Sequence, residues 1–91
     1  MKKIEAVYPM RAIRMGQTIP PTLEQVAIAV RERWGLRCTA GHLSDIERGD
    51  QPASQRLLAA LAIYYDVPRT VMNHAFATTR ARYLKQNVNG G

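Results

Sequence analysis

A chain of 91 residues has room for one modest hydrophobic core and not for a second. Its 46% apolar and 22% charged residues exclude a largely disordered chain, and a single cysteine, Cys38, excludes both an internal disulfide and a zinc site built from cysteine pairs. With 13 Lys and Arg against 7 Asp and Glu the net charge is +6, a balance that points to an anionic partner.

The segment Lys2 to Tyr8 alternates only loosely and favours neither an arm nor a short strand. Pro9 suits the first turn of a helix, where its missing N–H is unpaired anyway, and Met10, Ala12 and Ile13 give that helix a short apolar side up to Met15, with Gly16 at its end. Two adjacent prolines between Thr18 and Thr22 mark a rigid connection. Thr22 then caps a second helix whose apolar residues Leu23, Val26, Ala27, Val30 and Trp34 recur at three and four, with Gly35 as its stop. A shorter third helix is expected between a Thr39 cap and Gly49, with Leu43 and Ile46 inward and Gly41, Ser44, Asp45 and Arg48 outward. Ser54 caps a fourth, which buries Leu57, Leu58, Leu61, Ala62 and Tyr65 and ends at Asp66 and Pro68. From Pro68 a fifth helix carries Val71, Met72, Ala75, Phe76, Thr79 and Tyr83 on one side, and residues 87–91 read as a flexible tail. After Asp66 the chain holds no acid, only Arg69, Arg80, Arg82 and Lys85. The fold class is therefore all-α, a bundle of four to five helices.

Two helices joined by a tight turn, the second short and polar outside, suit the DNA major groove, which is about 12 Å wide. The run Leu43-Ser44-Asp45-Ile46-Glu47-Arg48-Gly49, followed by Pro52, Ser54, Leu57-Leu58, Leu61-Ala62 and Asp66-Val67-Pro68, resembles the Cro/C1-type (XRE) helix-turn-helix family. That family reads I-S-x-I-E-x-G, then P-S, then L-L-x-x-L-A; Thr22-Leu23-Glu24-Gln25-Val26-Ala27 is similar to its T-x-E-E-L-A opening. The stretch from Ala27 to Gly35 is longer than the family's by about four residues, one helical turn, and Leu23 stands where the family carries a Gln near the phosphates.

The resemblance implies a compact bundle of the lambda-repressor-like DNA-binding type. It divides into a helix-turn-helix domain over 1–67, with its motif at about 22–49, and a C-terminal helix over 68–86 for dimerisation. It also implies a sequence-specific regulator of transcription, a repressor that binds an inverted-repeat operator as a homodimer. Carried over residue by residue, the base-reading positions are Ala40, Gly41, His42 and Asp45, with Ser44 beside them; Ala40 suits a thymine methyl and Asp45 the cytosine amino group. Arg37, Thr39, Arg48 and Gln51 flank that helix and are the phosphate-binding candidates. Glu47 is expected to pair with Arg14. The dimer interface is expected on Val71, Met72, Ala75, Phe76, Thr79 and Tyr83, because the first four helices account for the core among themselves.

Other chemistries find little support. Cys38 and His42 have no further His or Cys close in sequence to complete a metal site, so neither metal nor cofactor is expected, and Asp45 and Glu47 lie on different sides of one helix. No nucleophile elbow or glycine-rich phosphate loop is present, so no enzyme and no small-molecule ligand is expected. No apolar run reaches membrane-spanning length and the start is too polar to lead a signal peptide, so no membrane partner and a cytoplasmic location are expected. The competing class is a protein-interaction module of the same fold, an antitoxin or adaptor. Arg31, Arg33, Arg37 and Arg48 discriminate: lining one surface they favour DNA, and scattered beside exposed apolar residues they favour a protein.

Overall fold

Local stop and start signals delimit five helices in a computed structural model that describes residues 9–90, with side chains to 86: α1 (Pro9–Met15), α2 (Leu23–Trp34), α3 (Ala40–Arg48), α4 (Gln55–Tyr65) and α5 (Arg69–Gly90). Among the described residues there is no strand. Thr22, Thr39 and Ser54 each sit in extended backbone and accept an N–H in the first turn that follows, from Gln25, His42 and Leu57. At Thr22 the bond is reciprocal, since the Gln25 side chain accepts the Thr22 N–H at 2.9 Å. Gly35, Gly49 and Asp66 close α2, α3 and α4 in left-handed backbone, and their N–H groups return to the last turn.

Met10, Val26, Ala27, Val30, Leu43, Ile46, Leu57, Leu58, Leu61 and Met72 are buried together, so the first four helices share one interior with α5. The pairs in contact are α2 with α3, α2 with α4 and α1 with α3, while α5 runs against α1, α3 and α4. A helix of 22 residues rises about 33 Å, most of the 39 Å long axis of the molecule. α1 and α3, at seven and nine residues, are too short to close the core, and α5 covers the face they leave open. The C-terminal helix is thus a wall of this core. Its backbone also stays helical over 87–90, where a tail was expected, with Gly91 outside the described residues. The Asn residues there each cost a few tenths of a kcal/mol in a helix, too little to stop one already propagating.

The approach of α5 to the end of α3 is close. A Cβ built on Gly49 falls 2.6 Å from the Thr79 carbonyl oxygen and 2.8 Å from the Tyr83 Cβ, whereas one on Gly35 meets nothing within 4 Å. Both glycines have positive φ, +88° and +67°. Gly35→Ala should therefore cost only the left-handed backbone term, about 1–2 kcal/mol, and Gly49→Ala a further ~1–3 kcal/mol for the displaced helix. Urea denaturation of the two variants measures the difference, and equal losses would mean that α5 does not pack here.

Candidate nucleic-acid interface

The turn from α2 into α3 is held by its own backbone and one arginine. Arg31, in the last turn of α2, donates from Nη1 to the Cys38 carbonyl at 2.6 Å. Cys38 is buried, and burial pushes its thiol pKa up against a smaller opposing pull from Arg31, so it is kept as a neutral thiol rather than a reactive thiolate. Trp34 is half-buried against the core.

With Leu43 and Ile46 inward, α3 turns its other side out. Gly41 is exposed, and Ala40, His42, Ser44 and Asp45 are half-exposed, so the five base-reading candidates share one outer face. Of the phosphate candidates, Arg37, Thr39, Arg48 and Gln51 are all exposed at the ends of that face. The Thr39 hydroxyl oxygen accepts the His42 N–H at 3.1 Å, which leaves its own proton to donate outward.

Two ion pairs flank this face and differ in consequence. Arg14 grips Glu47 with both prongs, at 2.7 and 3.0 Å, with the two side chains only 11% and 10% exposed. The hydrogen bond to Glu47 raises the Arg14 pKa further above its ordinary value, and Arg14 also donates to the Pro21 carbonyl at 3.1 Å. Beneath the pair, burial and then the Glu47 charge push the Tyr65 hydroxyl well up, so it stays protonated. Arg48 instead reaches Asp45 at 2.6 Å and Asp50 at 3.4 Å, with the Arg48 and Asp45 side chains 51% and 38% exposed. An exposed pair of that kind is worth about 0–1 kcal/mol and exchanges readily for another anion.

Arg11, Arg14, Leu23, Ser44, Glu47 and Arg48 line a cleft of about 310 Å³ between α1, the start of α2 and α3. Arg11 is absent from the sequence-based site. Its signal was its place one helical turn before Arg14, which sets both on one side of α1. The four discriminating arginines are divided: Arg31 braces the turn and Arg33 lies 5.5 Å from the ring centre of Tyr64 on α4, so only Arg37 and Arg48 flank α3. The large exposed apolar residues Met15, Ile19, Ile28, Ile63, Val71 and Leu84 come from four helices and a connection.

The expected dimer face is divided as well. Met72, Ala75 and Thr79 are buried inside the subunit, Phe76 and Tyr83 are half-buried, and Val71 is 45% exposed. The three buried residues cannot meet a partner while the core is closed, because α5 and not a second subunit covers the short helices. At 100° per residue, exposed Val71 and Leu84 point about 140° apart around α5, so they do not form one stripe.

No helix among the described residues is long and apolar enough to cross a membrane. No family model, no curated protein and no solved structure matches this chain.

Removing one partner of the Arg14–Glu47 pair strands a buried charge, and Glu47→Ala should cost about 3–5 kcal/mol, whereas Arg48→Ala should cost under about 1 kcal/mol. Chemical denaturation at neutral pH reads both, and similar losses would show that the two pairs are equally solvated.

Proposed function

We propose that the chain is a cytoplasmic, sequence-specific double-stranded DNA-binding regulator of transcription. In this reading it is a lambda-repressor-like bundle of the Cro/C1-type (XRE) family, with α2 and α3 as the helix-turn-helix and α3 in the major groove. The observation that carries this is the outer face of α3: short, capped at both ends, and presenting Ala40, Gly41, His42, Ser44 and Asp45 between Arg37 and Arg48. The +6 charge and the arginine-lined cleft beside that face suit phosphates on either side of the groove. Few of the outward residues are bidentate donors, so DNA shape carries part of the recognition. Repression through an inverted repeat is the natural outcome for such a module acting as a homodimer.

A second reading has its own support. Trp34, Leu36, Arg56, Ala59, Ala60 and Ile63 line an apolar groove between the end of α2 and the outer side of α4, and Ile63 is 66% exposed. A protein partner on that groove would make the chain an adaptor or antitoxin, with DNA binding secondary or absent.

Selection of duplexes by the purified protein separates the two readings. Recovery of a consensus supports the first, and failure to enrich any duplex at low salt removes it. On the selected duplex, Arg37→Ala and Arg48→Ala should each weaken binding to all sequences alike and reduce the salt slope by ~1. His42→Ala should change the preferred sequence instead, and an unchanged consensus would displace α3 from the groove.

In this reading the dimer contact lies at Val71, supported by its exposure beside Ile13 at the apolar groove that Pro9, Ile13, Thr70, Val71, His74 and Ala75 form between α1 and α5. Val71→Asp tests it without disturbing the core. Light scattering should show a dimeric wild type and a folded monomeric variant, and a dimeric variant would move the interface elsewhere.

A further inference from the structure

The end of α3 is held by a residue 31 positions further along the chain. Arg80 donates from Nη1 to the Gly49 carbonyl at 2.6 Å, and Arg80 is half-buried. Gly49 is the left-handed residue that closes α3; its N–H bonds to the Ile46 carbonyl at 3.0 Å, and the Asp50 N–H to the Asp45 carbonyl at 2.8 Å. Thr79 and Tyr83 of α5 lie so near Gly49 that no side chain fits there. Thr79 is itself buried, its hydroxyl donating to the Ala75 carbonyl at 2.8 Å. A guanidinium at the carbonyl end of α3 also meets the negative end of that helix's dipole. Arg80 belongs to the cationic C-terminal part of the chain, where charge alone would assign it to solvent or phosphate. Its geometry points inward instead.

We propose that Arg80 is a positioning residue: with Gly49 it forms a latch through which α5 sets the pose of α3, so that DNA discrimination depends on how α5 is seated. The latch itself stands on the contacts above, and its effect on discrimination rests on the DNA-binding reading. Whatever loosens the 79–83 stretch of α5 releases the end of α3 and the start of the loop that carries Asp50 and Gln51. Because the Asp45 carbonyl accepts the Asp50 N–H, the release reaches a candidate base-reading position directly.

The test compares Arg80→Ala with Arg82→Ala, which removes an exposed cation from the same helix. In the free protein, amide exchange at Gly49 and Asp50 should quicken about tenfold in Arg80→Ala and remain as in wild type in Arg82→Ala, with the core amides of α2 and α4 unaffected in both. On the selected duplex, Arg80→Ala should lose about 2- to 30-fold in affinity, with an unchanged salt slope and little change on a random duplex. If Arg80→Ala does not fold, Arg80→Lys keeps the charge without the forked donor and should shift the same readouts in the same direction by less. Unchanged exchange at Gly49 and Asp50 would overturn the latch. A salt slope lowered by ~1 on both duplexes would also overturn it, because Arg80 would then be touching phosphate. If the wild type binds no duplex, the DNA reading fails by itself and the exchange comparison alone decides whether the latch exists.

Discussion

Arg14 and Glu47 hold together the parts of the chain that sequence separates most awkwardly. α1 is only seven residues long and contributes a single buried side chain, Met10, so apolar burial alone anchors it weakly. The bidentate pair to α3 supplies a directional tie, and the third bond from Arg14 to the Pro21 carbonyl fixes the proline-rich connection to the same point. Gln17 adds a stitch by donating to the carbonyls of Ile13 and Tyr65, which joins the end of α1 to the end of α4. Because Arg14 and Glu47 both line the cleft that also holds Arg11 and Arg48, the scaffold and the candidate phosphate surface adjoin there.

The opposite side of the molecule is organised by α5. Met72, at zero exposure, is among the largest fully buried side chains, and burying one such residue contributes about 1.5–3 kcal/mol. Removing α5 would expose α1, α3 and α4 together. Within α5 Asn73 is half-buried and Thr79 buried, and Thr79 satisfies its hydroxyl within its own helix. The Arg80 bond to Gly49 and the close contact at Thr79 then make the end of α3 a joint between the core and the outer face.

The arginines divide by the partners they find. Arg14, Arg31 and Arg80 spend their donors on a carboxylate or on backbone carbonyls, where they fix geometry. Arg33 lies over an aromatic ring, an interaction worth about 0.5–1 kcal/mol at an exposed site. Arg11, Arg37 and Arg48 remain at the surface, and the carboxylates beside Arg48 hold it only loosely. The formal charge of the chain therefore overstates the cations free to meet a ligand, and the distinction rests on which arginines find a buried acceptor.

Helix limits were legible from residues because they are local. Thr22, Thr39 and Ser54 as caps, and Gly35, Gly49 and Asp66 as stops, act on groups within one turn, and the period of three and four placed Val26, Val30, Leu43 and Leu58 inside. The Arg14–Glu47 pair was legible only through resemblance, since no local rule links residues 33 apart. Tertiary structure alone decided what α5 does: its stripe fits an interface or an interior equally well, and the shortness of α1 and α3 selected the interior. It also decided which arginines remain outside and that Arg80 reaches Gly49, because those outcomes depend on distances set by the packing of separate helices rather than on anything encoded within one turn.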